Sequence, residues 1–199
     1  MKIYDISQEF LGAQVYPTDP CPTLTRFASM DEGDLYTVSS FSASCHNGTH
    51  VDAPAHFISG GKTVGEIETE KTVGKAFVIE CSGDLGEKEV EMILEKAKKN
   101  STEAAKRILI KGDATVTADG ANALNRGGIS LIGTESQSVG PFDAPMQVHK
   151  ILLEKEVVLL EGINLSEVAE GEYFLFAAPL NIGISEGAPC RAMLIDFEG

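Results

Sequence analysis

Lys75-Ala-Phe-Val-Ile-Glu-Cys81 and Arg107-Ile-Leu-Ile-Lys111 are short apolar runs that bracket an amphipathic stretch, Gly86–Lys99. Within each run apolar residues follow one another without alternation, the pattern of strands covered on both faces. Between them Val90, Ile93, Leu94 and Ala97 recur at helical spacing, with Glu and Lys on the opposite side. Working downstream, Thr117–Arg126 reads as a weaker helix and Ile129–Gly133 as a short strand. Asp143 can cap a helix with Pro145 in its first turn, where a missing N–H costs little. That helix carries Val148, Ile151 and Leu152 on one face, with His149 beside them. Strands follow at Val157–Leu160, Tyr173–Ala178 and Ala192–Phe197. Upstream, residues 1–70 read as turns and short strands: Pro17, Pro20 and Pro22 punctuate the beginning, and Tyr36–Ala43 alternates like a strand. This order predicts an α+β fold, a mixed sheet or partly closed barrel with flanking helices. No linker or repeat interrupts it, so a single domain over 1–199 is expected.

Of the 199 residues 43% are apolar and 23% charged, a globular composition. Asp and Glu number 30 against 16 Lys and Arg, for a formal charge of −14. Such a surface repels phosphate backbones and anionic lipid, so neither nucleic acid nor membrane is an expected partner. The opening MKIYDISQEF has neither the basic head nor the apolar stretch of a signal peptide, so a cytoplasmic location is expected. Cys21, Cys45, Cys81 and Cys190 form no CxxC spacing and read as small buried hydrophobes.

Histidine is more informative. Of the four, His46, His50 and His56 lie in one segment, His46-Asn-Gly-Thr-His50-Val-Asp52-Ala-Pro54-Ala-His56, and His149 lies apart. Imidazole nitrogen with carboxylate oxygen suits zinc, manganese or iron(II) and not calcium. Gly48 and Pro54 break any continuous helix, so an irregular turn must converge the side chains. The Thr49 hydroxyl is available to support a ligand.

That segment resembles the signature H-x-G-T-H-x-D-x-P-x-H of the metal-dependent cyclase family, to which bacterial kynurenine formamidase belongs. The resemblance extends to Asp5-Ile-Ser7, Tyr16-Pro17, Gly133-Thr-Glu-Ser-Gln-Ser138, the pair His149 and Glu161, and Ala188-Pro189-Cys190-Arg191-Ala192. It implies a swivelling β/β/α fold and a homo-oligomer, dimer or larger. It also implies one or two divalent transition ions, zinc first and manganese as the alternative. His46, His50 and Asp52 would hold one ion, Asp52 would bridge to a second held by His149, and Glu161 would sit between both. His56 would move protons instead of binding metal.

The implied activity is hydrolysis of a small-molecule C–N bond in an amide, arylformamide or lactam. The alternatives are the same site acting on esters or lactones or in cyclisation, or a protein that binds metal or ligand without turnover. Two departures bear on the substrate. Tyr16 stands where arylformamide-cleaving members carry Trp, and Glu135 stands where Asp is usual. Tyr16 is the candidate substrate contact, offering an aromatic face with a hydroxyl that can donate or accept.

Overall fold

Both apolar runs become strands covered on both faces. The structure, a computed structural model, describes residues 1–197. Its N-terminal half contains β1 (Lys2–Asp5), β2 (Thr23–Ala28), β3 (Val38–Ser42), β4 (His50–Asp52), α1 (Thr69–Thr72), β5 (Val73–Glu80), β6 (Gly83–Leu85) and α2 (Glu87–Asn100). The C-terminal half contains β7 (Arg107–Lys111), β8 (Ala114–Val116), α3 (Ala118–Gly127), β9 (Leu131–Thr134), α4 (Met146–Leu153), β10 (Val158–Glu161), β11 (Gly171–Phe176), β12 (Gly187–Pro189) and β13 (Met193–Asp196).

Among the described residues nine strands form one mixed sheet, in the order β1-β13-β11-β5-β7-β9-β10-β4-β12. Its centre, β5, β7, β9 and β10, is parallel, and the pairings on either side are antiparallel. Alternation along these strands divides the core in two. Phe77, Ile79, Ile108 and Ile110 face a layer built with α2, α3 and α4. Ala76, Val78 and Leu109 face the other way, where Val51, Leu160, Ile163, Leu175 and Leu194 meet. On that side the sheet curls into a half-barrel. Ser7 forms a bridge with Ile163, and the Ile6 N–H donates to Ala192 O, so the chain after β1 is tied to the chain after β10.

The predicted α+β class therefore matches the structure. The helix α3 starts where Thr117 Oγ1 accepts from the Gly120 N–H, the usual threonine N-cap. The fourth helix differs from expectation: it begins at Met146 with Pro145 in the capping position, and Asp143 makes no cap bond. Residues 141–144 instead close a turn of their own, the Ala144 N–H donating to Pro141 O. The alternating run at 36–43 does form β3, but in a two-stranded ribbon with β2 whose side chains are almost all exposed. The cysteines differ too: Cys21 is exposed, the other three are partly buried, and all four are free. No helix among the described residues is long and apolar enough to cross a membrane.

Candidate metal centre

The three-residue strand β4 lies between β10 and β12, with Glu161 opposite His50 and Gly187 opposite Asp52. The two-residue period of a strand turns Val51 into the core and His50 and Asp52 to the other side, where Glu161 joins them. The segment expected to be an irregular turn throughout is thus a turn over 46–49, a strand, and a short helical turn at Pro54–His56. Three residues are too few to show a period. Gly48 makes the fold-back at φ 62°, a left-handed conformation that suits glycine. Thr49 does not touch a candidate ligand: its hydroxyl accepts from the Gln8 N–H and donates to Gly162 O at 2.6 Å, anchoring the chain next to Glu161.

His149 arrives from α4, which Asn125 of α3 holds by donating from Nδ2 to Ile151 O at 2.7 Å. Its Nε2 lies 3.2 Å from Glu161 Oε1 and 3.6 Å from Asp52 Oδ2. On the other side of Asp52, His46 Nδ1 is 2.8 Å from Oδ1, and His50 Nε2 is 3.4 Å from the same oxygen and 3.5 Å from Glu161 Oε2. His56 Nε2 stands 3.9 Å from Asp52 Oδ2, its ring stacked on His46 at 4.0 Å. All the sequence-predicted site residues except Tyr16 thus meet around two buried carboxylates. Tyr16 lines the mouth of the same cavity, against Phe142 at 5.0 Å. Its hydroxyl donates to Phe142 O at 3.2 Å, so it braces the rim.

This donor set fits a metal. His46, His50 and Asp52 form one group, and Asp52, His149 and Glu161 another; within each, the donor atoms lie within 4.8 Å of one another. His50 Nδ1 faces Gly48 O and His149 Nδ1 faces Pro145 O, both at 2.9 Å. A carbonyl only accepts, so Nδ1 of each ring carries a proton and Nε2 is the nitrogen turned toward the centre, the one a metal would displace a proton from. Asp52 Oδ2 and His46 Nε2 are buried without a hydrogen-bond partner. Glu186 Oε1 is 3.4 Å from that nitrogen but misaligned.

The charges agree. Burial pushes the His50 pKa down, but hydrogen bonds and charge from Asp52 and Glu161 outweigh it and lift it to about 10. Burial opposes His46 and His149 as well, and Asp52 and Glu161 respectively hold them above the ordinary value. Burial also works against the two carboxylates, yet His46 and His50 hold Asp52 well below the usual range. For Glu161 the proximity of Asp52 adds to burial, and His149 and His50 still bring it below normal. His56 goes the other way: burial lowers it, and the attraction of Asp52 only partly compensates.

Two neighbours were not anticipated. Glu186 has no spacing that marks it. Gly187 is required because a Cβ there would sit 2.5 Å from His46 Cε1. Glu135, the departure from the family pattern, accepts from the Gly112 and Leu165 N–H groups, both at 2.7 Å, and clamps two loops away from the cavity.

A half-barrel carrying buried histidines and two shared carboxylates beside an open cavity is an arrangement able to hold divalent ions next to a small molecule. The family model described as "Putative cyclase" matches residues 4–160. The kynurenine formamidase of Erythrobacter litoralis (strain HTCC2594) is 32% identical, with 97% of this chain and 93% of that protein covered. That of Salinibacter ruber (strain DSM 13855 / M31) is 33% identical, with 98% of each covered. A solved structure described as "The Structure Of Potential Metal-Dependent Hydrolase With Cyclase Activity" superposes with a TM-score of 0.80 at 25% identity, over 100% of this chain and 99% of that one. An isatin hydrolase bound to the product analogue thioisatinate shares the fold, with a TM-score of 0.82 at 18% identity over 97% and 91%. The chain belongs to the cyclase family.

Proposed function

We propose that this chain hydrolyses the C–N bond of an amide, arylformamide or lactam. The observation that carries the reading is the meeting of two donor triads at the shared Asp52, with His56 stacked alongside. His46, His50 and Asp52 would hold one ion, and Asp52, His149 and Glu161 a second. A divalent transition ion supplies there a lowered pKa for water, toward ~7, and polarisation of a carbonyl oxygen. The protein's own contribution is orientation and proton movement. The Gly48 and Pro145 carbonyls aim two imidazoles, and Glu161 faces both triads. His56, neutral at pH 7 because burial lowers its pKa, takes the proton of the attacking water and returns it to the leaving nitrogen.

Zinc is the proposed ion and manganese the alternative, since nitrogen and oxygen donors serve both. Four free cysteines support a cytoplasmic location. A homo-oligomer, dimer or larger, is supported by the β2–β3 ribbon, where Leu24, Phe27, Leu35, Tyr36 and Phe41 are exposed together. The test is metal analysis of the purified protein, then a panel of arylformamides, lactams, esters and lactones with and without chelator. Chelator-sensitive turnover of amides supports the reading; turnover confined to esters, or none, overturns it.

Three expected results follow from the geometry. Gly187→Ala drives a methyl group into the His46 ring, so metal affinity should fall about 10- to 100-fold, as for other changes behind a ligand. Competition against a chromophoric chelator reads this directly, and unchanged affinity would remove His46 from the site. Metal uptake should release protons, because His50 stays protonated up to about pH 10 in the empty site. Apparent affinity should therefore climb as pH rises through neutrality; a flat profile contradicts the assignment. Finally, Tyr16 spends its hydroxyl on the rim and offers less stacking area than Trp. Smaller or more polar substrates should surpass formylkynurenine in kcat/KM. If formylkynurenine is best and Tyr16→Trp changes nothing, Tyr16 is packing alone.

A further inference from the structure

Tyr16-Pro-Thr-Asp19 closes a turn at the mouth of the cavity, the Asp19 N–H donating to Tyr16 O at 2.9 Å. Proline in second place presets the backbone for such a turn, so its two ends keep a fixed relation. The chain here is tied to the opposite rim twice. Tyr16 Oη donates to Phe142 O at 3.2 Å, and Gln137 Nε2 donates to Gln14 O just upstream. Tyr16, Thr18 and Asp19 all line the cavity.

Two carboxylates belong to that lining, and their situations differ. Glu161 is buried and faces His50 and His149. Asp19 is only partly buried, within reach of solvent and of a ligand, and its carboxylate makes no hydrogen bond or ion pair among the described residues. No lysine or arginine of the described residues lines the cavity. The mouth therefore carries one unmatched negative charge, held in place by a stiff turn. Phe57, Pro145 and the Tyr16 ring give the same cavity apolar walls, which weaken screening and strengthen the pull of that charge on a cation.

We propose that Asp19 sets the charge preference of this pocket, selecting amides that carry a protonated amine over neutral ones of the same shape. The proposal rests on the amide-hydrolase reading above and narrows its substrate class. A zwitterionic amino acid brings its own carboxylate to the same rim, where no basic side chain receives it, and so gains less than a simple amine. Asp19 acts on binding and takes no part in proton transfer.

The test uses 4-(aminomethyl)phenylurea and 4-(hydroxymethyl)phenylurea, which differ in charge and little in shape and whose carbonyl resists hydrolysis. Binding to the metal-loaded protein is followed by calorimetry at pH 7. Wild-type protein should bind the amine about fivefold tighter, the upper end for a partly exposed ion pair. The preference should shrink as ionic strength rises from about 0.01 M to about 1 M, where the screening length falls from about 30 Å to about 3 Å. Asp19→Asn should bring the two affinities together and leave that of the alcohol unchanged, while Asp19→Glu should keep the preference. Glu95→Gln, an equal change of net charge on the exposed side of α2, should leave it intact and so separates the local pair from the acidity of the whole chain.

Thermal unfolding identifies a variant that fails to fold, and the salt series on wild-type protein with Glu95→Gln then carries the test. Equal binding of the two ureas, binding of neither, a preference indifferent to salt, one that survives in folded Asp19→Asn, or one that Glu95→Gln removes overturns the proposal. Should the preference behave as expected while no amide is hydrolysed, the amide-hydrolase reading fails and the role of Asp19 stands. Should amides be hydrolysed without it, the reverse holds.

Discussion

His50→Ala protein is expected to emerge from purification without tightly bound metal and to show no chelator-sensitive hydrolysis. His50 is the buried donor whose Nε2 reaches both carboxylates, at 3.4 Å to Asp52 and 3.5 Å to Glu161. Its ring is preset by Gly48 O, so it is already aimed at both. The affinity loss should exceed the about 10- to 100-fold typical when a partner behind a ligand is removed. The metal-free fold should suffer as well. Without His50 the two buried carboxylates lose a cation they share, and breaking a buried pair costs about 3–5 kcal/mol. Elemental analysis together with thermal unfolding reads both effects. Full metal content in a folded His50→Ala protein would falsify the ligand assignment.

His56→Ala should behave in the opposite manner: metal retained, turnover down by roughly 10²-fold or more. The ring is partly buried at the cavity, stacked on His46, and farther from the carboxylates than the other imidazoles, at 3.9 Å from Asp52. The sign of its pH behaviour follows from its lowered pKa. A base with a depressed pKa is active above that value and is silenced as pH falls through it. With metal kept saturating, the kcat/KM of the wild-type protein should therefore show an acid limb below pH 6.5, and the limb should be missing from the residual activity of His56→Ala. A variant that loses its metal instead would place His56 among the ligands. Because His50→Ala and His56→Ala are read by the same two measurements, they separate holding the ion from moving the proton.

Much of this site was legible in the chain. Three histidines and an aspartate within eleven positions are a local pattern, and donor chemistry alone excludes calcium and points to a transition ion. The central strands were equally plain. Ile108, Leu109 and Ile110 are all buried because the sheet is covered on both sides, and that is why RILIK shows no alternation.

Other features are absent from local sequence for physical reasons. The strand β4 spans only His50–Asp52 and exists because β10 and β12 supply its hydrogen bonds from over a hundred residues away. Asp143 is a sound cap by residue type, yet the turn at 141–144 moves the cap two residues on, to Pro145. The ribbon of β2 and β3 alternates like a half-buried hairpin, but the body of the fold leaves both faces open.

By itself, then, the sequence determined the donor chemistry, the buried central strands and the helices α2 and α3, because each depends on side chains within a turn or two of one another. Only the tertiary structure decided that Glu161 lies opposite His50, that α4 carries His149 to within 3.6 Å of Asp52, and that Gly187 leaves room for the His46 ring. Those facts depend on strand register and helix packing across the whole chain. Register is set by how the full sheet buries its two faces, and no local spacing encodes it.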